Sequence, residues 1–168
     1  MNTHFPAFKR FITNPVKFKF FLLSKLPMGF ISGLKIVELS DAKSSVAVCF
    51  RWLNQNPFRS IYFAVLSMAA ELSTGILAVG QVYKRNPTVS MLVVKMEADF
   101  YKKAVGKIIF TTNDGLKIAE AVEQAVATGE GVTVQCSSVG LNEANEEVAR
   151  FVFTWSFKSK PPIPKGEY

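Results

Sequence analysis

Residues 61–75 read IYFAVLSMAAELSTG, from Ile61 to Gly75. Nearly every position is apolar or small, yet one carboxylate, Glu71, stands in the middle. Extended both ways, the pattern predicts a long helix over roughly Pro57–Tyr83, with Asn56-Pro57 as its opening signal and Asn86-Pro87 as its stop. At roughly 100° per residue, Ser60, Ser67, Glu71, Thr74 and Gln81 share one narrow sector. The remaining surface is apolar or small apart from Tyr62 and Ser73, and a helix apolar almost all round is a buried one. Its thin polar stripe then has to line something polar inside: a cleft, a water channel or a subunit seam.

The segment is nearly long enough to cross a bilayer. A mid-span acid costs about 2.5–3.5 kcal/mol there, and the rest of the chain is strand-rich, so a span is not expected. Two readings of Glu71 stay open. In the first it is structural, bonded to a basic residue across a sheet. In the second it is functional. Burying an unpaired charge costs several kcal/mol, an apolar residue would fill the slot at less cost, and partial burial raises the pKa toward a general base's range.

The chain has 168 residues, 49% of them hydrophobic and 20% charged, which excludes a disordered chain. Its 15 Phe supply a heavy aromatic core. Cys49 and Cys136 stand in separate strand-like runs without metal-ligand spacing, which implies reduced packing residues in a cytoplasmic protein. The single histidine, His4, lies near the terminus. That argues against a Ser-His-Asp or Cys-His site, and no metal site is expected. A net charge of +7 favours anionic partners. Nucleic acid is not among them, because no Arg-rich helix, zinc-finger spacing or Gly-aromatic RNA-binding signature is present.

Residues 4–28 read as two short, basic, Phe-rich helices, with Asn14 capping the second and Pro15 at its first position. Lys25 interrupts the apolar run FKFFLLSKL, so it reads as mature protein rather than a secretory signal. The expected role of these helices is to cover a sheet edge or barrel mouth; peripheral membrane contact is the lesser expectation. Gly33–Leu39 and Ser45–Trp52 read as strands, the second placing Val46, Val48, Phe50 and Trp52 on one face. Thr88–Tyr101 and Gly106–Thr112 read as a hairpin broken near Lys102-Lys103. A helix over about 115–127 follows, with Asp114 as its cap and Gly129 beyond its end. The last strands fall near 131–140 and 147–158, the final one turning Phe151, Phe153, Trp155 and Phe157 inward. The tail PPIPKGEY reads as a Pro-rich ending.

One helix of about 25 residues spans nearly 40 Å, enough to cross a curved sheet. The expected fold is therefore α+β: an antiparallel sheet wrapped around a long central helix, in the hotdog arrangement. One domain over 1–160 is expected, with residues 1–28 as a helical extension and 161–168 as the tail.

The stretches NPFRSIYFAVLSMAAELSTG, VSMLVVKMEADFYKKAVGKI and VARFVFTWSF resemble the hotdog-fold thioesterase superfamily. More narrowly they resemble a bacterial branch of hotdog proteins similar to phenylacetyl-CoA thioesterase, over about Pro27 to Lys160. The resemblance implies hydrolysis of an acyl-CoA thioester promoted by a carboxylate on the central helix, and Glu71 occupies that position. It implies no cofactor, coenzyme A entering as part of the substrate, and a homodimer or dimer of dimers with a shared site. Relatives often open the helix with His-Gly-Gly, where a backbone N–H holds the thioester oxygen; here Tyr62, Phe63 and Ala64 stand instead. A non-catalytic hotdog module that binds an acyl thioester or lipid is the alternative function.

Acyl transfer needs an activated water or a carboxylate nucleophile, plus donors for the developing oxyanion. Glu71 is the candidate base or nucleophile, with Ser67 or Thr74 orienting it or the water and Tyr62 as helper. Arg59, Ser60, Lys102 and Lys103 are candidate substrate contacts, the cations for coenzyme A phosphates. Ser60 is equally a candidate helix cap, and each cation is equally a solvated surface charge.

Overall fold

The computed structural model describes residues 2–160; the Pro-rich tail lies outside them. Three helices come first: α1 (Phe5–Ile12), α2 (Pro15–Lys25) and α3 (Pro27–Ser32). Asn14 caps α2 as expected, its Oδ1 accepting from the N–H groups of Val16 and Lys17, each at 3.1 Å. The third helix was not expected. Pro27 opens it, and Gly33 closes it in the left-handed region at φ 76°, so Gly33 is a helix cap and not the start of a strand.

Strands β1 (Lys35–Leu39) and β2 (Ser44–Cys49) form an antiparallel hairpin. The second stops short of the expected Trp52. Asn54 draws the chain into a tight turn over Trp52–Asn54: its Nδ2 donates to the Cys49 carbonyl at 2.8 Å, and its Oδ1 accepts from the Arg51 N–H at 2.8 Å. Trp52 is left 79% exposed, instead of facing inward with Val46 and Val48.

The long helix α4 runs over Phe63–Val82, starting six residues later than Asn56-Pro57 implies. Asn56 is the reason. Its Oδ1 accepts from the N–H groups of Phe58 (2.9 Å) and Ser60 (3.2 Å), holding 56–60 in a turn in which Arg59 takes a left-handed φ of 56°. Ser60 and Arg59 therefore lie on that turn, not on the helix, and Tyr62 sits at the helix N-cap position.

Beyond it come β3 (Val89–Phe100), β4 (Lys107–Thr112), α5 (Gly115–Thr128), β5 (Gly131–Leu141) and β6 (Glu147–Ser159). The six strands form one antiparallel sheet in the order β1-β2-β4-β5-β6-β3. The expected β3–β4 hairpin does not form. β3 pairs with β6, from Val89 opposite Ser159 to Phe100 opposite Ala149, while β4 lies between β2 and β5. The connection is a crossover held by its own carbonyls: Ala104 accepts from the Ile61 N–H at 2.9 Å and Gly106 from the Phe50 N–H at 2.7 Å. A strand as regular as β6 pairs along both edges, and β3 takes its free one.

The sheet curls around α4. Val65, Leu66, Ala69, Ile76 and Leu77 pack with Val48, Ile108, Phe110 and the inward row Phe151, Phe153, Trp155 and Phe157 in one buried core. Gly80 lets α1 approach: a Cβ there would lie 2.5 Å from the Phe5 ring. Helix α5 ends at Gly129 as expected, but Asp114 does not cap it. Its carboxylate instead accepts from the Ser137 N–H at 2.8 Å, tying the helix start to β5. The helix over Phe63–Val82 is long and apolar enough to cross a membrane, and 67% of its apolar window is buried within the fold. It is a core helix.

Candidate active site

Glu71 lies midway along α4, where α2 and α3 leave a gap against that helix. It lines an open cleft of about 210 Å³ with Lys25, Leu26, Met28, Met68 and Leu72 among its walls. No hydrogen bond or ion pair reaches its carboxylate among the described residues, and Lys25 stands in the same cleft without pairing to it. Burial raises its pKa from the ordinary 4.5 to about 7. The side chain lies back over the following helical turn, beside Gly75 and the Trp155 ring.

The two hydroxyls expected to orient this carboxylate are engaged elsewhere. Ser67 Oγ donates to the Phe63 carbonyl at 3.0 Å. Thr74 Oγ1 donates to the backbone oxygen of Glu71 at 3.0 Å and accepts from Trp155 Nε1 at 3.0 Å. Thr74 thus fixes the helix against β6 and leaves the acid untouched.

A second cavity, of about 280 Å³, opens at the start of α4 and brings together Ser60, Tyr62, Lys102 and Lys103. Asn56 Nδ2 donates to Ser60 Oγ at 3.0 Å, so Ser60 braces the turn and caps no helix. Phe63 and Ala64 leave their N–H groups without a backbone partner among the described residues, because the first α4 donors to bond are Val65 and Leu66, both to the Tyr62 carbonyl. Both N–H groups lie at the positive end of the helix dipole, and Phe63 lines the cavity. Lys102 pairs with Glu146, while Lys103 has no ion-pair partner among the described residues. Arg59 belongs to the turn rather than to the lining. Glu71 and Phe63 are eight residues apart, about 12 Å along the axis, so the carboxylate and the donors occupy different cavities of one chain.

Residue patterning missed Lys25, Leu26 and Met28 as walls of the Glu71 cleft. No local signal marks them, since their relation to Glu71 exists only after α2 and α3 fold back over α4. Cys136 is buried and its thiol is pushed up to about 12 by desolvation, so it is inert packing. No cluster of metal-ligating side chains exists among the described residues.

Residues 16–157 match a family model described as a domain of unknown function, DUF4442. Among solved structures, the chain is similar to a Pseudomonas aeruginosa protein of unknown function described as a probable thioesterase. The identity is 21% and the TM-score 0.73, covering 87% of this chain and 97% of that one. It is also similar to a thioesterase from Haemophilus influenzae, at 12% identity and a TM-score of 0.60 over 82% and 86% of the two chains. The E. coli PaaI protein from the phenylacetic acid degradation operon gives 12% identity and a TM-score of 0.60, over 83% and 88%. No curated protein matches. At these identities the likeness establishes the fold, and it is the hotdog fold expected from the central helix and its sheet. The chain belongs to the DUF4442 family, built on a fold it shares with thioesterases.

Proposed function

We propose that the protein hydrolyses the thioester of an acyl-CoA or a similar carrier, with Glu71 acting on water and no cofactor. One observation carries this reading: Glu71 is a carboxylate without a partner, half-buried beside an open cleft, with its pKa raised to about 7. A group in that state takes a proton from water near neutral pH. As the water oxygen bonds to the carbonyl carbon, its proton passes to Glu71. The negative charge moves to the carbonyl oxygen, where the Phe63 and Ala64 N–H groups receive it. Collapse breaks the C–S bond, and the thiolate leaves with the proton from Glu71. Met28, Met68 and Leu72 give the acyl chain an apolar wall, and Lys103, with Lys102 in the same cavity, offers charge to the carrier's phosphates.

This reading needs two chains. The donors and the carboxylate of one chain are about 12 Å apart along α4, so a partner subunit has to supply one of them. Strand β3 offers the seam: it is an unpaired edge of 12 residues that leaves Leu92, Val94, Met96 and Phe100 exposed. A homodimer joined there, alone or as a dimer of dimers, closes the site.

The test is thiol release from acyl-CoAs of varied chain length, by the native protein and by Glu71→Gln. Turnover in the native protein that drops at least about 100-fold in the variant supports hydrolysis. Equal rates in both remove Glu71 from the reaction. One feature favours a second reading, a non-catalytic acyl-thioester or lipid binder: Phe63 and Ala64 put side chains where relatives' glycines leave the backbone bare. Binding with no turnover on any chain length selects it.

A further inference from the structure

Helix α2 is apolar on two opposite faces. Phe18 and Leu22 are buried in the core, whereas Val16, Phe20 and Leu23 form a stripe on the far side, exposed at 62%, 68% and 54%. At 100° per residue, Lys17 and Lys19 border that stripe on its two sides. The exposed apolar surface continues through Met28, Phe30 and Ile31 of α3 to the neighbouring turn that carries Trp52 and Leu53. Between them lies a cavity of about 700 Å³, with Lys19, Lys35 and Arg51 as its charged lining and no acid. The charge pattern is one-sided along the chain as well. Six cations (Lys9, Arg10, Lys17, Lys19, Lys25 and Lys35) precede the first acidic residue, Glu38, and none has an ion-pair partner among the described residues.

We propose that this face docks onto an anionic lipid bilayer, with Val16, Phe20, Leu23 and Trp52 entering the headgroup boundary and the lysines meeting lipid phosphates. An exposed apolar stripe flanked by lysines is the pattern of an interfacial helix, and neither apolar burial nor charge alone gives stable attachment. A second copy of the chain fits this face poorly, because a symmetric contact would set Lys17, Lys19 and Lys35 against the same lysines of the other copy, with no acid in the adjoining cavity to offset them. β3, the edge proposed for the dimer, lies at the opposite end of the sheet order from β1, into which α3 leads. The inference is independent of the hydrolytic reading.

The test is co-sedimentation of the full chain with phosphatidylcholine vesicles, plain or carrying about one-third phosphatidylglycerol, beside light scattering. The native protein pellets with the anionic vesicles and not with the neutral ones, and rising salt releases it. Phe20→Ser with Leu23→Ser, a pair of exposed changes that leaves the core intact, weakens binding roughly tenfold or more, as does Lys17→Gln with Lys19→Gln. Trp52 emission shifts to the blue on binding, and Trp52→Phe abolishes the shift because Trp155 is already buried. Native protein that stays in the supernatant with anionic vesicles at low salt overturns the proposal. So does undiminished binding by the Ser pair, or an unchanged Trp52 in bound protein. If the Ser pair lowers the oligomeric state while the native chain ignores vesicles, a second copy covers this face instead.

Discussion

The carboxylate of Glu71 rests over Gly75: a methyl group at residue 75 would lie 2.8 Å from Glu71 Oε1 and 3.3 Å from Cζ2 of Trp155. Glycine in mid-helix weakens the helix by up to about 1 kcal/mol relative to alanine. Here it opens the space in which the acid lies. Gly75→Ala therefore separates fold from function. Denaturant unfolding is expected to change by no more than about 1–2 kcal/mol, since Oε1 is the far end of a flexible side chain and the Trp155 ring has to yield only a few tenths of an ångström, while thioester turnover falls tenfold or more as the acid is displaced.

The same acid gives the fold a pH dependence of unusual sign. The folded chain keeps the Glu71 proton up to about pH 7, whereas the unfolded chain releases it near 4.5. Between those values the fold binds more protons, so this group's contribution falls as pH rises through the window, by at most about 3 kcal/mol. Glu71→Gln carries no such charge. Urea unfolding is expected to show the variant matching the native protein near pH 4.5 and exceeding it at pH 8. A native advantage at pH 8 would mean that the carboxylate has a stabilising partner.

Thr74 and Trp155 make the opposite kind of contact, a buried hydrogen bond at 3.0 Å that serves packing. Thr74→Val keeps the shape and leaves the indole N–H unpaired, which costs about 1–3 kcal/mol. Calorimetry is expected to record that loss, while the pH at which turnover is half-maximal stays where it was.

The seam proposed at β3 makes its own prediction. Leu92 and Met96 are exposed on that edge, so Leu92→Asp with Met96→Asp leaves the monomer core intact. Light scattering is expected to show monomers, and turnover to fall with the dimer. A variant that stays dimeric places the seam elsewhere.

Much of the fold was legible because its signals are local and strong. The alternation of Phe151, Phe153, Trp155 and Phe157, the Asn14-Pro15 cap and the Gly129 stop each act within a few residues, and each stands where the residues imply. The failures come from side chains that compete for backbone groups. Asn56 and Asn54 each gather nearby backbone groups into a turn, which delays α4 to Phe63 and ends β2 before Trp52. The strand partner of β3 was hidden for a different reason. Adjacency in sequence favours β4, while the free edge of β6 is 49 to 70 residues away and visible only in three dimensions. At the site, Glu71 stood out as a lone charge in an apolar helix. The walls of its cleft did not, since Lys25 and Met28 reach it from helices more than 40 residues earlier.

The most direct test of an unpartnered, half-buried acid is its own titration. In ¹³C-labelled protein, the carboxyl resonance of Glu71, assigned by its loss in Glu71→Gln, is expected to move with a midpoint near pH 7. A midpoint at or below 4.5 would show a cation or donor holding the carboxylate in its charged form, and would contradict the account.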